Sequence, residues 1–247
     1  MIKTNLLVLG AAALALAGCQ QAADNATAPA NGTAAAASAP PAGQDWTTTA
    51  SATPEGGFVI GNPNARVKLV EYLSFTCPHC AEFAETGYAK LRDEYVKKGT
   101  VSLEIRNYVR DPIDVTISLV ARCQGPEAYF SMVEQALAAQ GSILGKAQTL
   151  APAEVQRVST LAPGEQFKAF ARLLGVDQFA RQRGVSEAKM DTCLADKEAL
   201  DKLIAMQKTA NEIPGFPGTP SFLLNGTLLQ NAGTWQQLEP QLKAAGA

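Results

Sequence analysis

Two cysteines, Cys77 and Cys80, enclose a proline and the chain's single histidine in the run Cys77-Pro78-His79-Cys80. A pair at this spacing can cycle between dithiol and disulfide, or it can supply half of a zinc site. Zinc is disfavoured. Cys77, His79 and Cys80 cannot all reach one tetrahedral ion from so short a run, and Cys123 and Cys193 stand alone, whereas structural zinc sites bring a second close pair. Thiol–disulfide exchange instead needs one thiolate that attacks and one protected thiol that resolves.

The flanking sequence is built to supply that asymmetry. Residues 66–73, RVKLVEYL, are β-branched and aromatic enough for a strand, and residues 81–99 carry Phe83, Tyr88, Leu91 and Tyr95 at mostly helical spacing before the stop at Gly99. The motif therefore follows a strand and opens a helix. Cys77 is expected at the helix N-terminus, where unpaired amides and the dipole favour an anion, and Cys80 one turn deeper. Pro78 costs little at a helix start. A protonated or hydrogen-bonding His79 imidazole beside Cys77 would lower its pKa further; the alternative is a solvated surface histidine. Stabilising the thiolate stabilises the reduced form, so this motif is expected to donate disulfides.

A second strand, Val101–Ile105, completes a βαβ unit with an expected right-handed parallel crossover. Phe58-Val59-Ile60 reads as a short edge strand. From about Asp114 to Asn211 the pattern is mostly helical, with segments at 128–140, 165–174 and 186–207 the clearest. Strands return at 221–224 and 227–229 around Asn225-Gly226, a strong hairpin signal. Thr234 to Ala245 reads as a closing helix with Thr234 as its cap and Pro240 as a source of kinking. The expected fold class is α/β. Residues 57–113 and 212–247 form the α/β domain, and 114–211 form a helical insertion.

The N-terminal part belongs to no such pattern. An apolar run from Leu6 to Gly18 follows Lys3 and would span roughly 20 Å as a helix, short for a bilayer core but suited to an export signal. It ends in Leu16-Ala17-Gly18-Cys19, which resembles a bacterial lipobox with Cys19 as the lipidated residue; a plain secretory signal is the alternative. Residues 1–18 are then the signal. Residues 19–56, rich in Ala, Pro and Thr, are read as a lipidated N-terminus and flexible tether, with Trp46 the exception among small residues. Anchoring at the periplasmic face of the envelope is expected. Gln20 after the cysteine, in place of an aspartate, leans towards the outer membrane. With Cys19 acylated and Cys77–Cys80 a redox pair, Cys123 and Cys193 remain as an even pair, which in an exported protein favours a structural disulfide over two free buried thiols. The formal charge of −2 shows no basic stripe, so nucleic acid is not an expected partner.

Residues 66–80, RVKLVEYLSFTCPHC, resemble the strand-to-helix passage of the DsbA family, and the centre CPHC matches that family's motif. The resemblance covers essentially all of residues 57–247. It implies a thioredoxin fold, a central mixed β-sheet flanked by helices, with an inserted helical subdomain. It further implies that Gly218-Thr219-Pro220 is a cis-proline loop, with Pro220 facing the cysteines and the Thr219 backbone pairing with a substrate strand; without the resemblance this is only a turn. Thr219 stands where the best-known oxidases of the family carry valine, and threonine is more typical of the isomerase branch. Glu71, six residues before Cys77, matches the family's buried acid that relays a proton to or from Cys80; the alternative is an exposed strand glutamate.

Three functions follow. The first is a disulfide donor to reduced exported proteins, monomeric, needing no cofactor or metal, and reoxidised by a DsbB-type quinone-linked membrane partner. The second is an isomerase or reductase using the same centre. The third is a lipid-tethered binding module without enzymatic activity.

Overall fold

The computed structural model describes residues 40–42 and 44–247, so Cys19 and the expected signal lie outside the described residues. Six strands form one sheet: β1 (Ala50–Ala52), β2 (Phe58–Gly61), β3 (Val67–Leu73), β4 (Val101–Asn107), β5 (Ser221–Leu224) and β6 (Thr227–Leu228). Their order is β1-β2-β4-β3-β5-β6. Among the described residues only β3 and β4 pair in parallel, with Glu71 opposite Ile105; the other pairs are antiparallel. The sheet is therefore mixed. On β3, Val67, Leu69, Glu71, Tyr72 and Leu73 are buried while Lys68 is exposed, so the strand is covered on both faces only towards its C-terminal end, next to the motif.

The connection from β3 to β4 is the helix that carries the motif. It begins as α1 (Pro78–Phe83) and continues through two wide-turn segments, Ala84–Tyr88 and Leu91–Val96. Lys97 N donates to Arg92 O at 2.8 Å and Thr100 N to Tyr95 O at 3.2 Å, five residues back in each case. The widened turns bring Phe83 and Tyr88 inward together, their rings 5.6 Å apart and edge to face.

Between β4 and β5 lie the helices α2 (Pro112–Arg122), α3 (Pro126–Ala138), α4 (Gln140–Thr149), α5 (Pro152–Ser159), α6 (Pro163–Leu174), α7 (Val176–Arg181), α8 (Glu187–Leu194) and α9 (Lys197–Asn211). This is the thioredoxin fold with a helical insertion. The single helix expected over 186–207 is two, because Asp196 accepts from Ala199 N at 3.0 Å and starts a new helix there. The chain closes with α10 (Trp235–Ala244), where Thr234 N donates to Gln237 Oε1 and the helix runs through Pro240.

The domain begins earlier than composition suggests. Trp46 is buried in the main core, and Ala50–Ala52 pairs with Phe58–Ile60. Residues 46–56 thus belong to the domain rather than to a tether, and β2 is an inner strand with β1 at the edge. The sequence Ala-Ser-Ala has no apolar alternation; backbone pairing to β2 makes it a strand.

Cys123, at the end of α2, is bonded to Cys193 in α8, with a Cα–Cα distance of 5.7 Å and a sequence separation of 70. The bond ties the start of the insertion to its later helices. Closing a loop of this length should stabilise the fold by about 2–4 kcal/mol. Replacing both cysteines by alanine is expected to lower the melting temperature by roughly 5–10 °C. Calorimetry of the double variant under oxidising conditions checks this, and an unchanged melting temperature would contradict it.

Candidate active site

After β3 the chain turns through Ser74, Phe75 and Thr76 into Cys77, which caps α1 with extended backbone (φ −90°, ψ 118°) while Pro78 takes the first helical position. Two acids at the start of α2 hold this turn. Asp111 caps α2 by accepting from Ile113 N and Asp114 N, and it also accepts from Thr76 Oγ1 at 3.1 Å. Asp114 is fully buried and accepts from Ser74 Oγ at 2.6 Å, Phe75 N at 2.8 Å and Arg110 N at 3.1 Å. Burial pushes its carboxyl up to about 6 against the pull of those donors.

A third tether comes from the insertion. Gln140, buried at the start of α4, donates through Nε2 to Phe75 O and to Cys77 O, each at 2.9 Å. Gln140→Ala leaves both bonds unmade. We expect a loss of about 2 kcal/mol, or a melting temperature roughly 5 °C lower. Thermal unfolding measures it, and a change below one degree would show that the tether carries no stability.

Both motif cysteines are free thiols and buried. Their surroundings differ sharply. The Cys77 thiol is lowered from 9.0 to about 5, chiefly by a hydrogen bond from Cys80, with the Thr219 side chain and the backbone amides of Cys80 and His79 adding to it against the cost of burial. While protonated, Cys77 Sγ donates to Thr219 O at 3.1 Å. That carbonyl favours the thiol, but the donors outnumber it and the thiolate wins. Cys80 moves the opposite way, well above its ordinary value, first through burial and then through its bond to Cys77 and the charge of Glu71.

His79 contributes otherwise than expected. Its side chain is largely exposed, with Nδ1 3.6 Å from Glu82 Oε2, and its pull on Cys77 comes through its backbone amide. The Cys80 thiol and the backbone donors at the helix start, rather than an imidazole charge, support the thiolate.

Glu71 is fully buried on β3 and its charge acts on the motif cysteines. Oε2 accepts from Tyr88 OH at 2.7 Å, while Oε1 accepts no hydrogen bond. Burial raises its carboxyl to about 8, Tyr88 opposing and the Cys77 charge adding. The Thr219–Pro220 peptide is cis and sits against Cys77. Beside it opens a cleft of about 260 Å³ lined by His79, Glu82, Gly218, Thr219, Pro220 and Thr234. A larger groove of about 740 Å³ runs along the other side of α1, between Pro78, Glu82 and Glu85 and the insertion residues Leu137 and Gln140. The structure thus gathers Glu71, Cys77, Pro78, His79, Cys80, Thr219 and Pro220 in one place and sets the Cys123–Cys193 bond apart in the insertion. No group of metal-ligating side chains occurs among the described residues.

Sequence reasoning missed Asp114, Gln140 and Tyr88. A cap at Asp111 was readable from Asp111-Pro112 at a helix start, but nothing local marks the other three.

A cysteine at a helix start, a second cysteine one turn on and the Thr219 carbonyl against the first sulfur are the parts that thiol–disulfide exchange needs. The family model described as Thioredoxin matches residues 53–244. A crystal structure of a protein-disulfide isomerase from Novosphingobium aromaticivorans is 32% identical, with a TM-score of 0.72 over 76% of this chain and 97% of that one. The structure of Wolbachia pipientis alpha-DsbA1 shares the fold, at 16% identity and a TM-score of 0.61 over 79% and 92% of the two chains. A curated relative from Rickettsia bellii, named as a protein-disulfide oxidoreductase, is 27% identical over 180 residues, 72% of this chain and 60% of its own. The chain spans about 60% of the length of the curated relatives it matches first. It belongs to the thioredoxin family.

Proposed function

We propose that the chain is an enzyme that donates the Cys77–Cys80 disulfide to reduced, exported proteins. The observation that carries this is the split between the two sulfurs: Cys77 held near 5 against Thr219, Cys80 held as a thiol. A client thiolate attacks the Cys77 sulfur of the oxidised centre and expels Cys80 as a thiolate, which takes a proton from Glu71. A second client thiolate attacks the client sulfur of the mixed disulfide and expels Cys77 as a thiolate. The client loses two electrons and the centre gains them. A thiolate stabilised at Cys77 is a good leaving group, which drives the second step forward.

The chain approaching Cys77 can lie in the cleft beside Thr219 and Pro220, where Thr219 offers backbone groups for strand-like pairing. Reoxidation by a DsbB-type quinone-linked membrane partner, a lipid anchor at Cys19, a periplasmic or outer-membrane location and a monomeric state belong to the same reading. The apolar run from Leu6 to Gly18 and the lipobox-like Leu16-Ala17-Gly18-Cys19 support the anchoring. No helix among the described residues is long and apolar enough to cross a membrane.

A second reading, disulfide isomerase, is favoured by Thr219 and by the name of the Novosphingobium relative. The two separate on clients: a donor oxidises a reduced, unfolded test protein, whereas an isomerase restores activity to one with scrambled disulfides. Rapid oxidation with little unscrambling is the expected result. The reverse would transfer the assignment to the isomerase reading.

A further inference from the structure

Glu71 must both give a proton to Cys80 and take it back, so what holds its carboxylate governs both directions. One hydrogen bond does so among the described residues, from Tyr88 OH to Oε2 at 2.7 Å. Oε1 accepts none. Tyr88 is buried in the wide-turn segment Ala84–Tyr88, braced by the Phe83 ring, and Phe83 in turn packs on Phe222 of β5 at 4.7 Å between centroids. The phenol cannot drift away without opening that aromatic stack.

We propose that Tyr88 is a positioning residue for proton transfer: it grips Glu71 by one carboxylate oxygen, leaves Oε1 without a hydrogen-bond donor, and so sets how readily that acid exchanges a proton with the resolving thiol. This inference rests on the proposed redox function and deepens it. The titratable groups acting on Glu71 are Tyr88 from the wide-turn segment and Cys77 from the start of α1, while Glu71 acts in turn on Cys80 of α1 and on Tyr129 of α3. Tyr129 OH is engaged with Asn107 Oδ1 at 3.0 Å, not with Glu71. Tyr88 itself is pushed well above its ordinary value by burial and then by Glu71, so it stays a donor and is no proton carrier. A phenol that donates to the carboxylate favours its ionised form. Its removal disfavours that form and slows whichever step needs Glu71 as a base.

Reoxidation contains that step. Cys77 thiolate attacks oxidised glutathione and expels one glutathione thiolate. Cys80 then passes its proton to Glu71, attacks the Cys77 sulfur and expels the second glutathione. The protein dithiol loses two electrons and the glutathione disulfide gains them.

The test is rapid acid quenching of the reduced full chain with oxidised glutathione across pH, separating the Cys77 mixed disulfide from the closed Cys77–Cys80 form. In the native protein the closing step should rise with a midpoint near 8, where Glu71 ionises. In Tyr88→Phe the midpoint should move up by about one unit and closing at neutral pH should slow about tenfold. The midpoint for formation of the mixed disulfide should stay near 5, where Glu71 is neutral in both proteins. Glu71→Gln should abolish the upper midpoint, and adding Tyr88→Phe to it should change closing less than twofold. An unmoved midpoint in Tyr88→Phe, or the same slowing in the Glu71→Gln background, overturns the proposal. Should Tyr88→Phe fail to fold, a ring-fluorinated tyrosine at position 88 keeps the packing and strengthens the donor, and it must lower the midpoint. Absence of any mixed disulfide in the native protein would instead sink the redox reading. In that case the infrared carboxyl band removed by Glu71→Gln still reports the proton, and Tyr88→Phe must shift its titration upward.

Discussion

Replacing Cys77 by serine is expected to abolish disulfide transfer, and replacing Cys80 by serine is expected to leave a stable mixed disulfide between Cys77 and the client. The two outcomes differ because the two sulfurs do. Cys77 is lowered to about 5 and faces Thr219 beside the cleft, so it is the sulfur that meets the client. A serine hydroxyl ionises far above any working pH, and the step that needs a thiolate is lost altogether. Cys80 is fully buried and stays protonated, so no client reaches it. Cys80 is the other half of the disulfide that the centre donates; without it that disulfide cannot form, and a mixed disulfide at Cys77 loses the intramolecular thiol that would otherwise reverse it. Trapping of exported proteins on Cys80→Ser but not on the Cys77→Ser,Cys80→Ser double variant, separated on non-reducing gels, checks both halves. A lipid-tethered binding module with no redox role would hold its clients without a covalent bond and would be indifferent to Cys77→Ser.

Above pH 5 the reduced protein should be more stable than the oxidised one, which is the reverse of what a disulfide ordinarily does. The four-residue ring of Cys77 to Cys80 constrains the unfolded chain little, whereas the thiolate is held by donors that exist only in the folded state. The Cys77 pKa is depressed on folding from 9.0 to about 5. Its contribution is therefore complete above about pH 9 and is lost as pH falls through about 5. At neutral pH it amounts to about 2 kcal/mol after allowance for solvent screening of a sulfur beside an open cleft, or roughly 5 °C in melting temperature. Glu71 runs in the opposite sense. Its raised pKa gives stability that is complete below its unfolded value of 4.5 and lost as pH rises through about 8. Both redox forms carry that loss, so it largely cancels in their difference. Melting curves of reduced and oxidised protein should converge as the pH is brought from 8 towards 4. A gap that persists at pH 4, or an oxidised form that is the more stable at neutral pH, would contradict the account of Cys77.

The chemistry of this chain is written locally, and its support is not. Cys77, Pro78 and Cys80 sit in four consecutive residues, and a strand before them with a helix after them places the first sulfur at a helix start. Glu71 and Pro220 came only through resemblance, because burial of one glutamate and the cis form of one peptide are set by tertiary packing. Gln140 lies 65 and 63 residues from the carbonyls it holds, and Asp114 lies 39 and 40 from its partners in the turn. Such side-chain bonds to a distant loop leave no periodicity to read. Tyr88 was read as one more apolar position on a helix, since its hydroxyl differs from the other ring positions only in finding Glu71. β1 was missed for a related reason: three small residues become a strand only because β2 offers them a backbone edge. His79 shows the opposite error. Its type suggested an electrostatic role for the side chain, and the fold uses its amide instead.

The equilibrium reduction potential of the Cys77–Cys80 pair, measured on the full chain in glutathione buffers, tests the central claim most directly. Proteins of this fold span about −270 mV for thioredoxin to about −120 mV for DsbA, a gap of about 7 kcal/mol for two electrons. A Cys77 thiolate stabilised near 5 places this pair towards the oxidising end, and that result would support a disulfide donor. A value near −270 mV would contradict it and make the chain a reductase fed with electrons from elsewhere.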